Sequence, residues 1–77
     1  MATRNLEDKT TPPQPLYRVE SKVVVHGQGA PPFPQGEVLA VTAFFDLAAN
    51  VWKLQYQIDF GGGKTSWLNE DDLSLPK

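Results

Sequence analysis

The feature that most constrains this chain is an unbroken alternation: Trp52, Leu54, Tyr56, Ile58 and Phe60 interleave with Lys53, Gln55, Gln57 and Asp59. Side chains of a β-strand project to opposite faces at a period of two, so one face of this stretch is packed and the other solvated. A helix would scatter the same residues all round its axis. Gly61-Gly-Gly63 follows directly and supplies a turn free to take positive φ, so Lys64 to Leu68 reads as a returning strand carrying Trp67.

The flanking segments fit the same reading. Lys22 to His26 is β-branched and forms a first strand, reached through a turn that starts at Tyr17. Gly27 to Gly36 packs prolines and glycines densely enough to forbid helix or central strand, which leaves a long loop with Phe33 between prolines. Glu37 to Phe45 is a second run of β formers, and Asp46 to Asn50 has the length and polar ends of a hairpin connection. Asn69-Glu-Asp-Asp-Leu73 suits one 3₁₀ turn, with Asn69 as a capping residue and the acids near the positive end of the turn dipole. Leu73-Ser-Leu75 is then a short closing strand before Pro76. The expected fold class is all-β.

Residues 1–16 have a different composition. Up to Pro15 they hold one large aliphatic residue, Leu6, and three prolines, too little apolar surface to offset the entropy of ordering. They are expected to be a flexible tail, with the folded domain over 17–77.

At 77 residues the chain has room for one domain whose core is barely sufficient, and without cysteine it lacks the usual staples of small scaffolds. Self-association is therefore an expectation. The absence of cysteine also removes thiolate metal sites and a cysteine nucleophile, and fits a reducing compartment. Seven basic and nine acidic residues are scattered with no basic run, which speaks against nucleic acid as the main partner. No apolar stretch approaches the ~20 residues of a membrane span, so a cytoplasmic protein is expected.

Five short strands with a long first loop and a 3₁₀ turn before the last strand resemble the SH3-like barrels, and three motifs resemble the Tudor kind. These are Val23-Val-Val25 followed after a loop by Phe33-Pro-Gln-Gly-Glu-Val38; Tyr56-Gln-Ile-Asp-Phe-Gly61; and Trp67-Leu-Asn-Glu-Asp-Asp-Leu73. The resemblance implies a five-stranded barrel. In its histone-reading members aromatics cage a methylated lysine, held by ring quadrupoles and a nearby acid. By position Phe33 and Phe60 match cage residues, Trp67 lies near, and Asp59 matches the acid. His26 stands where such readers usually have a further aromatic, and Glu20-Ser21 stands where many relatives have Gly-Asp.

Catalytic motifs are not apparent. His26, the one histidine, has no serine or carboxylate at a recognisable spacing. Gly61-Gly-Gly-Lys-Thr65 lacks the spacing and the following helix of a phosphate loop, and Glu70-Asp-Asp72 lacks the spaced ligands of a calcium loop. Neither cofactor nor metal is implied. Plasmid-type dihydrofolate reductases share the length and layout, but their Val-Gln-Ile-Tyr strand corresponds here to Lys64-Thr-Ser-Trp-Leu68.

The expected function is thus a non-catalytic interaction module for a protein or peptide, with an accessory structural subunit of a larger complex as the alternative. Phe33, Trp52 and Trp67 are the candidate exposed anchors. Either Phe44 or Phe45 must face outward from a regular strand, and Phe45 is the candidate for self-association.

Overall fold

The computed structural model describes residues 5–26 and 34–76. It is all-β: β1 (Lys22–Val25), β2 (Gln35–Asp46), β3 (Val51–Gly61), β4 (Lys64–Asn69) and β5 (Leu73–Ser74), with a 3₁₀ turn at Glu70–Asp72. The strands form one antiparallel sheet in the order β4-β3-β2-β1-β5, and this sheet does not close.

The alternation in β3 sets the sheet's two faces. Leu54, Tyr56 and Ile58 are buried, while Trp52 and Phe60 are half-buried at the ends of the same row. Around them the core collects Tyr17, Val23, Val25, Val38 and Leu73. Tyr17 meets Tyr56 edge to face, with ring centroids 5.3 Å apart, and its hydroxyl donates to the Leu73 carbonyl at 2.9 Å. The lead-in turn is thereby tied to the closing strand across the core, although 56 residues separate them.

In β2 the inward phase changes partway along. Val38 faces Ile58, but the register shifts between Val38 and Ala40, so that Ala40 faces Gln57 and Val41 faces Tyr56. Such a bulge bends a strand and turns its later residues over. Before it the even residues Gly36 and Val38 look inward; after it Val41, Ala43 and Phe45 do. Phe44 is consequently the outward member of its pair, 42% exposed, while Phe45 packs on Trp52 with ring centroids 5.6 Å apart.

Gly36 is where β2 passes closest to β3. A Cβ there would run into the Ile58 side chain and stand 2.8 Å from the Asp59 carbonyl oxygen. The other demanding backbone positions lie in turns. Gly61, Gly62 and Gly63 all have positive φ, as the β3–β4 hairpin requires. Asn50 closes the β2–β3 turn at φ +59, its N–H donating to the Asp46 carbonyl at 2.7 Å. The lead-in turn closes from Ser21 N–H to the Arg18 carbonyl at 3.1 Å and carries Glu20 at φ +76. At Glu20 an L side chain thus takes the left-handed conformation.

One local expectation is overturned. Asn69 does not cap the 3₁₀ turn: it makes no side-chain bond to the turn's backbone, and its Oδ1 accepts from Gln55 Nε2 at 3.1 Å. Gln55 and Asn69 are directly opposed in the β3–β4 ladder, so the cross-strand partner outcompetes the turn.

Candidate functional site

Residues 5–16 form only turns and irregular structure, yet three hydrogen bonds tie them to the sheet. Trp52 makes two of these: its backbone N–H donates to the Leu6 carbonyl at 2.7 Å, and its indole Nε1–H donates to the Asp8 carbonyl, also at 2.7 Å. At the far end Leu16 N–H donates to the Tyr56 hydroxyl at 3.1 Å. Leu6 itself rests against the core, and Lys9 lies over the Phe45 ring with Nζ 5.7 Å from its centroid.

Beside this segment is an open cleft of about 370 Å³. Leu6, Trp52 and Leu54 give it an apolar side, and Glu70, Asp71 and Asp72 of the 3₁₀ turn give it an acidic one. Glu70 is fixed in place: its Oε2 accepts from the Tyr56 hydroxyl at 2.5 Å and from Leu16 N–H at 3.4 Å. Burial, together with the adjacent Glu70 carboxylate, pushes the Tyr56 phenol far above its ordinary value of 10.0, so it remains a donor at all neutral pH. Lys53 faces outward on β3 and pairs with Asp46 at 3.1 Å. Asp46 also accepts from the Ala48 and Ala49 N–H groups; the Ala49 bond and then Lys53 hold its carboxyl below the ordinary 3.8.

The cage set is not assembled in one place. Directly opposed residues of a ladder share a face. Trp67 is paired with Gln57 and so lies on the outer face, 49% exposed, whereas Phe60 lines an inner depression with Val25, Pro34, Ser66 and Leu68. Asp59 is on the outer face in a row with Lys22, Glu37 and Thr65; its Oδ1 accepts from Gly61 N–H at 2.8 Å. Asp59 and Phe60 share the lining of a second depression with Lys22, Gln35, Gly36, Glu37 and Gly61, in which Phe60 is the one aromatic among the described residues. Phe33 lies outside the described residues. Of the candidate anchors, Trp67 is open to solvent and Trp52 is half covered by the chain's own segment.

Two further features escaped the sequence. His26 Nε2 and Ser74 Oγ stand 2.6 Å apart, brought together because β5 pairs with β1 at the far end of the chain. Neither residue lines the clefts described above, although His26 N–H donates to the carbonyl of Asp72, in the acidic turn, at 2.7 Å. The other is the contact of residues 6–9 with Trp52; its one sequence signal is Leu6, the single large aliphatic residue up to Pro15. Among the described residues no group of acids and histidine is arranged to hold a metal ion, and no helix is long and apolar enough to cross a membrane.

No family model, curated protein or solved structure matches this chain.

Proposed function

We propose that this chain is a non-catalytic protein-interaction module on an SH3-like barrel, and that it holds a peptide by its backbone at the Trp52 end of the sheet. The barrel reading is supported by the strand order, by the bulged and bent β2, and by the 3₁₀ turn between β4 and β5. The observation that carries the binding role is the pair of hydrogen bonds from Trp52 to the carbonyls of Leu6 and Asp8. One residue thus presents a backbone and an indole donor to two carbonyls of a turn-forming segment, beside an apolar wall and an acidic rim.

The chemistry of the occupant defines the partner. It has an aliphatic residue where Leu6 sits, backbone carbonyls for both Trp52 donors, and a basic residue where Lys9 meets Phe45. Further basic residues would lie toward Glu70, Asp71 and Asp72, where opposite charge speeds encounter and sets orientation. Residues 5–9 compete for the same donors, so the partner must displace them.

The test is an NMR titration of the full chain carrying Leu6→Asp, which weakens the intramolecular occupant. Peptides pairing leucine with lysine three residues on, as Leu6 and Lys9 are paired, should move the Trp52 indole N–H and the amides of 70–72, and acidic peptides should not. Silence at Trp52 with every peptide up to millimolar concentration would overturn the proposal.

A second reading, an accessory subunit of a larger complex, is favoured by the outer face of β2–β4. Leu39, Phe44 and Trp67 are exposed there among Thr42, Gln55 and Gln57, with Lys53 toward one end and the row of Lys22, Glu37 and Asp59 toward the other. A permanent neighbour would cover that face. In either reading we place the protein in the cytoplasm, in keeping with its cysteine-free composition.

A further inference from the structure

β4 ends the sheet, so one row of its backbone groups is paired with β3 and the alternate row points away from it. Among the described residues nothing pairs with that outer row, and Lys64, Thr65, Ser66 and Trp67 are all exposed. Folded proteins usually blunt such an edge with proline, a bulge or a charge in the middle of the strand. Lys64-Thr-Ser-Trp-Leu-Asn69 has no proline, and its one charge is at its first residue. The opposite edge, β5, is two residues long and is soon followed by Pro76, which leaves little to template a pairing.

We propose that β4 pairs antiparallel with β4 of a second copy of this chain, joining two sheets across a two-fold axis. A two-fold pairing must set residues of the same face against each other, and within the middle of the strand it centres on Ser66 or on Trp67. Centred on Trp67, it lays the two indoles side by side on the outer face and sets Ser66 against the partner's Leu68 on the inner face. It also carries Lys64 to the partner's Glu70, at the start of the acidic turn, and does so twice by symmetry. Centred on Ser66, it leaves Lys64 against the partner's Leu68 and the acidic turns unmatched. Charge complementarity along the edge therefore selects both the occupant, a second copy, and the register. The contact lies on the edge strand, apart from the Trp52 donors, and shares with the peptide site the Glu70 end of the acidic turn.

Sedimentation equilibrium of the full chain over a concentration series tests it, with Trp67→Lys and Lys64→Glu as variants. Both side chains are exposed, so neither substitution disturbs the core. The average mass of the unaltered chain should rise with concentration from 8.5 kDa toward twice that value. Trp67→Lys places two ammonium groups together on the axis, and Lys64→Glu sets acid against acid; each should weaken association at least tenfold. A chain that stays monomeric to millimolar concentration, or a dimer indifferent to both substitutions, would overturn the proposal.

Discussion

Replacing Tyr56 by phenylalanine removes a single oxygen at the junction of three elements. Its ring is fully buried, and its hydroxyl donates to Glu70 Oε2 at 2.5 Å while accepting from Leu16 N–H at 3.1 Å. A hydrogen bond to a charged acceptor contributes about 1.5–3 kcal/mol to stability, and a neutral one about 1 kcal/mol. Leu16 N–H retains a longer bond to Glu70, so its loss is partial. Tyr56→Phe should therefore cost about 2 kcal/mol, the middle of the range for a charged pair. With a urea dependence of about 1 kcal/mol per molar, as small domains show, the unfolding midpoint falls by about 2 M. Tyr17→Phe is the control: its hydroxyl donates to a neutral carbonyl and should cost about half as much. Glu70→Gln keeps an acceptor but removes the charge, and in the double variant with Tyr56→Phe the losses should be less than additive, because both remove one interaction. A Tyr56→Phe loss within about 0.5 kcal/mol of zero, the range of ordinary surface changes, would refute the reasoning.

Stability should also fall in alkali. The unfolded phenol ionises near 10.0 and the native one well above it, so the contribution of Tyr56 is complete below pH 10 and is lost as pH rises further; denaturation curves of Tyr56→Phe should lack this component. Gly36→Ala forces a methyl group against the Asp59 carbonyl oxygen and should destabilise by at least ~1–3 kcal/mol, read as a lowered thermal midpoint. Glu20→Gly relieves a left-handed L residue and should raise stability by up to about 1 kcal/mol in the same assay; a loss would mean that the turn is not strained. In a carbon-detected acid titration the Asp46 carboxyl should titrate below 3.8, and Lys53→Ala should bring it back toward that value.

The parts of this fold legible in the sequence are those where one local rule acts alone. The alternation from Trp52 to Phe60 declared its buried face, and Gly61-Gly-Gly63 declared a turn, because a period of two and positive φ leave few other solutions. In β2 the rule failed. Glu37-Val-Leu-Ala-Val-Thr-Ala-Phe-Phe45 is apolar on both faces, so nothing in it marks the bulge after Val38, and that bulge alone decides that Phe44 turns out and Phe45 in. The candidate site was less legible still. Trp52 was visible as an aromatic at a strand start, but its indole partner is a backbone carbonyl 44 residues away, and carbonyls leave no mark in sequence. Phe60 and Trp67 looked like neighbours because seven residues and a hairpin separate them; the register sends one to each face. Asn69 has the residue type of a cap, but Gln55 directly opposite engages its side chain.

The most direct test of the account is the Trp52 indole N–H in the unaltered chain. If the Trp52 end of the sheet is built to hold a peptide backbone, this proton exchanges slowly with solvent and shows nuclear Overhauser effects to protons of Asp8 and Lys9. Exchange at the rate of free tryptophan, with no such effect, would contradict it.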